Sequence, residues 1–198
     1  MDTILETQSS PIAITKGFIT KAETYIAMHC HDKIFKRVTV LDETGKKLFT
    51  VESKPFASWS WRRTIKDISG IHIFDLREGM DNAIRHKWIA ESPSGREICS
   101  VRHASLLKRL ILDVAVKDEE GKGNESMVRI IPTDQGGITM LVNIEGTTAA
   151  EIRMTESNVH STDRDRSVWR ARVASGVDLV FIVAIMLCRA EILHAWKK

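Results

Sequence analysis

Cysteine is scarce in this chain: Cys30, Cys99 and Cys188 are the three among 198 residues. The count is odd, the spacings are wide, and no CxxC occurs. A disulfide framework is thereby excluded, and a reduced intracellular chain is the plain reading. Charge of one sign is also lacking. The formal net charge is +3, with a sequence pI of about 8.8, whereas nucleic-acid domains usually exceed about 9 with a clustered basic face. The balance by itself argues neither way, and no nucleic-acid partner is expected. Residues 1–13 carry Asp2 and Glu6 and no apolar run of about 7–15 residues, so no secretory signal is expected. Asp2 stands where myristoylation requires Gly, and Lys197-Lys198 at the other end offers no lipidation signal.

Catalytic signatures are missing as well. There is no GxSxG and no HExxH, and the Gly121-Lys122-Gly123-Asn124 stretch lacks the spacing of a phosphate loop. Asp67, Asp75 and Asp178 read as turn-forming and capping carboxylates. No catalytic residue and no cofactor are assigned. His29-Cys30-His31-Asp32 is the most metal-like string, since a strand would put both imidazoles on one face. No second cluster supplies further ligands at recognisable spacing, so no metal is assigned and Cys30 is expected to pack inward.

What the chain has is a succession of short alternating runs separated by turn residues. Thr24 to Cys30, Arg37 to Leu41 and Lys47 to Ser53 come first, with Asp42-Glu43-Thr44-Gly45 turning between the last two. Trp61 to Ile68, Ile71 to Arg77, Lys87 to Glu91 and Glu97 to His103 repeat the motif. Leu110 to Lys117, Met127 to Ile131, Ile138 to Asn143, Ala149 to Met154 and Val168 to Val173 complete about twelve strands. Their spacing predicts an all-β barrel or sandwich. No helical crossovers lie between them, which disfavours a parallel α/β sheet.

The longest apolar run is the ten residues from Leu179 to Cys188. A transmembrane helix needs about 20 mainly apolar residues, and Arg189 and Glu191 fall inside the stretch that would complete one. No transmembrane segment is therefore expected. A helix over Val177 to Trp196, apolar on every side, needs protein all around it. A sheet curled about this helix provides that, and Ser175 and Asp178 stand where a helix start is capped.

Several segments carry a resemblance to a known family: Leu48-Phe49-Thr50-Val51, the run from Ile65 to Arg77, Trp88-Ile89-Ala90, Ala150-Glu151-Ile152, and Val173-Ala174-Ser175-Gly176-Val177-Asp178 leading into the apolar helix. Together these resemble the LURP-one-related proteins of the tubby C-terminal-like superfamily, which also resembles the phospholipid scramblases. The resemblance spans residues 35–193 within a single domain over 1–198. It implies a twelve-stranded antiparallel barrel closed around a buried hydrophobic C-terminal helix. It supplies no catalytic residues. Tubby proteins bind phosphoinositides and plant-type relatives are linked to defence responses, so the resemblance implies a non-enzymatic binding module. It places the module in the cytoplasm, peripheral at membranes, with anionic phospholipid as partner. A protein-interaction module without lipid and a scramblase-like membrane protein are the alternatives. The loops 117–126 and 155–166 match the family only loosely.

Charge distribution selects the candidate residues. Residues 36–66 hold eight basic side chains against three acidic ones, and 118–163 hold nine acidic against three basic. Arg164, Arg166, Arg170 and Arg172 share one parity and would stripe one face of a strand. Anionic lipid attracts such groups at about 1 kcal/mol each. The candidate lipid-binding residues are Lys36, Arg37, Lys54, Arg62, Arg63, Arg170 and Arg172. Of the tryptophans, Trp61, Trp88 and Trp169 are expected in the core.

Overall fold

Alternate residues of the strands turn away from solvent, and the computed structural model shows that this alternation closes a sheet upon itself. It describes residues 3–9, 13–15, 17–32, 37–53, 62–79, 87–104, 110–117, 126–158 and 165–195, with residues 194 and 195 described by backbone alone. The strands are β1 (Thr24–Cys30), β2 (Arg37–Asp42), β3 (Lys47–Ser53), β4 (Arg63–Asp67), β5 (His72–Gly79) and β6 (Lys87–Glu91). They continue as β7 (Glu97–His103), β8 (Leu112–Val116), β9 (Ser126–Pro132), β10 (Thr139–Ile144), β11 (Thr147–Ser157) and β12 (Ser167–Val173). Each pairs antiparallel with its chain neighbours, and β1 pairs with β12 to close a twelve-stranded barrel.

Inward residues are apolar: Val38 and Val40 of β2, Phe49 and Val51 of β3, Leu112 and Val114 of β8, Trp169 and Ala171 of β12. Trp88 is also buried; Trp61 lies outside the described residues. At the β4–β5 tip, Asp67 Oδ1 accepts from the backbone N–H groups of Ser69 and Ile71 at 2.9 and 2.8 Å, an Asx-turn that sets the hairpin.

The barrel is filled by α1 (Leu179–Ala195), a helix of 17 residues. Every side chain from Val180 to Ala190 is buried, Arg189 included. A helix is about 10–12 Å across with its side chains, and the closed sheet surrounds it. Burying each Val, Ile, Leu, Phe or Met there contributes about 1.5–3 kcal/mol. Among the described residues no helix is long and apolar enough to cross a membrane, a statement that concerns helices and not strands.

Asp178 begins the helix. Its Oδ1 accepts from Val180 N at 2.8 Å, while Oδ2 accepts from Ile14 N and Thr15 N at 2.8 and 2.9 Å. One buried carboxylate therefore caps α1 and also holds the N-terminal segment over that end of the barrel. Leu179 N donates to Phe18 O at 3.0 Å, and Gln8 N to Ser175 O at 3.0 Å. The tight pass of Gln8 over Gly176 leaves no room for a side chain, since a Cβ there would meet the Gln8 carbonyl oxygen at 2.4 Å.

The segment 155–166, expected as loop, is partly strand: β11 runs on to Ser157. A bulge between Met154 and Glu156 breaks the alternation that would have marked the continuation. Residues 118–125 and 159–164 of the two expected loops lie outside the described residues.

Candidate functional site

The outer face of β12 carries Arg170 and Arg172. In register, Arg172 lies between Tyr25 of β1 and Glu151 of β11, and Arg170 lies between Ala27 of β1 and Arg153 of β11. Arg172 is engaged: its guanidinium donates to the Thr3 carbonyl oxygen and sits 3.7 Å from Glu23. Arg170 and Arg153 are exposed and face each other directly. Neither guanidinium has an ion-pair or hydrogen-bond partner among the described residues. Like charges directly opposite one another on a sheet are destabilising, and an anion placed between them relieves that repulsion. Arg153 was not among the sequence candidates because it sits in an acidic stretch of chain; only the strand pairing shows it beside Arg170.

The other candidates separate. Arg62 is held by two carboxylates, Asp75 Oδ2 and Glu91 Oε2, each at 2.8 Å. Arg77 reaches Glu91 Oε1 at 2.7 Å, and Thr64 and His72 reach Asp75 Oδ1. Burial pulls the Arg62 pKa down, and the two carboxylates outweigh it and hold it above its ordinary value. Its guanidinium is a clamp between β5 and β6. Arg63 has the parity of Ile65 and points into the barrel, 3% exposed, with Nη2 at 3.0 Å from Glu191 Oε1 of α1. Burial pushes the Glu191 carboxyl up, against the pull of Arg63. Arg37 is exposed at the start of β2, opposite Glu52, whose carboxylate takes Lys66 Nζ at 2.7 Å. Lys36 and Lys54 lie outside the described residues.

His29 and His31 project from the outer face of β1, with Cys30 buried between them. Asp165, two residues before β12, bridges them: Oδ2 meets His29 Nδ1 at 2.5 Å and Oδ1 meets His31 Nδ1 at 2.6 Å. A carboxylate only accepts, so both rings carry their proton on Nδ1. Partial burial pushes the Asp165 carboxyl up, and the two imidazoles outweigh it, leaving its pKa below the usual carboxylate value. Among the described residues no three His, Cys, Asp or Glu are arranged to hold a metal ion.

Thr39 Oγ1 lies 2.9 Å from His31 Nε2, so Thr39, His31 and Asp165 follow the order of an activated nucleophile, its base and an orienting acid. Thr39 of this trio lies on a continuous stretch of sheet. Thr39 is laddered to His29 on one side and Thr50 on the other, which commits the surrounding backbone N–H groups to the sheet. The thiols are unsuited to attack: burial pushes Cys30 and Cys99 up to about 12 and Cys188 well above its ordinary value.

The architecture is thus a closed twelve-stranded antiparallel barrel around a buried C-terminal helix. The LURP-one-related family model matches residues 25–190, and the chain belongs to that family. A crystal structure of an Arabidopsis thaliana protein is similar over 96% of this chain and 100% of its own, with a TM-score of 0.62 at 16% identity. At that identity the likeness shows the fold. The curated proteins contain no match to this chain.

Proposed function

We propose that this LURP-one-related domain is a non-enzymatic binding module whose β11–β12 outer face attaches to anionic phospholipid at the cytoplasmic surface of a membrane. The observation that carries this reading is the exposed Arg153–Arg170 pair without a carboxylate between its members. Arginine presents a planar fork of donors that suits phosphate oxygens. Phosphoinositides are the class implied by the superfamily, and Arg37 extends the cationic face toward β2. The three buried thiols, their pKa values raised by burial, support a role without thiol chemistry.

The experiment is cosedimentation with phosphatidylcholine vesicles carrying phosphatidylinositol phosphate, over a range of salt. Attraction through surface charge decays over about 8 Å at physiological ionic strength, so binding should be strong at low salt and fall steeply as salt rises. Absence of binding even at low salt would overturn the reading. A second reading, a protein-interaction module, is favoured by the tip of the β4–β5 hairpin, where Ile68 and Ile71 are 58% and 60% exposed. That apolar pair fits a protein contact, and a domain that ignores charged vesicles would direct attention there.

A further inference from the structure

The bridge His29–Asp165–His31 lies beside the cationic face. His31 is the residue opposite Arg37, since His31 N donates to Arg37 O at 3.1 Å. His29 pairs with Val168 of β12, two residues from Arg170, and with Thr39 of β2. The two imidazoles therefore stand between Arg37 and Arg170 on one continuous outward surface of β2, β1 and β12.

We infer that His29, His31, Thr39, Arg37 and Arg170 form a phosphate-binding site for an anionic lipid head group, and that proton uptake by the two imidazoles switches it on. The inference rests on the lipid-binding reading above and names the regulation of that same face.

The hydrogen bonds make the switch inexpensive to operate. In the neutral form each Nδ1–H already donates to Asp165, and these bonds survive protonation. The added proton goes to Nε2. On His31 it meets the Thr39 hydroxyl, which turns from donor to acceptor. On His29 no partner holds Nε2 among the described residues, so protonation creates a free N–H donor there. Imidazole is the side chain whose charge changes between about pH 5 and 8.

The surrounding charges set the balance. From β2 and β12 come Arg37 and Arg170, from β11 Arg153 and Glu156, and from the lead-in to β12 Asp165 and Arg166. Asp32 follows His31 and accepts from Arg37 N at 2.9 Å, and Glu52 of β3 is engaged by Lys66. Cations and anions in this group nearly cancel while the imidazoles are neutral. Two imidazolium charges tip the face to positive and add outward donors.

The test is cosedimentation with phosphatidylcholine vesicles carrying phosphatidylglycerol, whose phosphodiester keeps one charge over the range used, at pH about 7.5 and about 5.5. Affinity should rise on acidification by about fivefold for each imidazolium formed. The His29→Gln/His31→Gln double variant should show the same affinity at both pH values. Asp165→Asn, which removes the carboxylate that holds both Nδ1–H groups in place, should diminish the rise between these two pH values. Melting curves of each variant establish that it is folded.

A rise that persists in the folded double variant, or one that Asp165→Asn leaves undiminished between the two pH values, overturns the inference. Vesicle binding that is equal at both pH values overturns the inference alone, and no binding at either pH overturns the lipid reading with it. A rise seen with free glycerol phosphate and not with vesicles overturns the assignment to a lipid.

Discussion

Arg189, enclosed in the barrel, donates from Nη2 to the Gly137 carbonyl oxygen at 2.9 Å. Its Nε and Nη1 are buried with no hydrogen-bond partner among the described residues, and burial pulls the guanidinium pKa down to about 10, against Asp134. Gly137 stands at φ 60°, and a Cβ there would meet Nη2 at 2.2 Å. Gly137→Ala should therefore destabilise by about 2 kcal/mol or more, through left-handed strain and displacement of the guanidinium. Arg189→Met exchanges an incompletely bonded buried cation for a similar apolar volume, and its stability should stay within about 1 kcal/mol of wild type or exceed it. Urea denaturation measures both. A strongly destabilised Arg189→Met would show that the buried cation stabilises the helix position.

The helix interior gives a second expectation. Ile182 is fully buried within the barrel, and Ile182→Lys places an unpaired charge there at a cost of several kcal/mol. The variant should be insoluble or unfolded, while Ile182→Val should lose only about 0.5–1.5 kcal/mol. Expression in soluble form and a melting curve decide it. A folded Lys variant near wild-type stability would contradict the enclosed helix.

Asp178 makes stability depend on pH in a stated direction. Burial raises its pKa, and the N–H groups of Thr15, Val180 and Ile14 only partly offset that. The folded state thus binds a proton that the unfolded state releases. The associated stability is complete below the ordinary carboxyl pKa and is lost as pH rises through the folded value. Asp178→Asn lacks this term. The stability of wild type relative to the variant should be largest near pH about 4 and shrink toward pH about 7. Denaturation series at the two pH values read it directly, and a difference that grows with pH would contradict the assignment.

Much of the barrel was legible because its physics is local. Val38 and Val40, or Trp169 and Ala171, alternate with polar residues as a half-buried strand must. Leu179 to Cys188 is apolar on all sides because the sheet surrounds it. Arg63, expected on the lipid-binding face, shares the parity of Ile65 instead and is buried against Glu191 of α1. The N-terminal segment was not legible: irregular backbone at Ile14, Thr15 and Phe18 is fixed by Asp178 and Leu179 at the start of α1, and no periodicity announces such bonds. Arg153 was hidden among acidic neighbours in the chain, and its partner Arg170 adjoins it only through strand pairing. Asp165 reaches His29 across 136 residues of sequence, so the bridge depends on the β1–β12 closure that completes the barrel.

That the β11–β12 face holds anionic lipid is tested most directly by charge reversal at its centre. Arg153→Glu/Arg170→Glu replaces two exposed side chains without ion-pair partners among the described residues, so the melting temperature should change little. Wild type should cosediment with phosphoinositide-containing vesicles at low salt. Reversal of two charges, at about 1 kcal/mol for each unit of charge change, should remove that binding. Undiminished cosedimentation of the folded double variant would contradict the account.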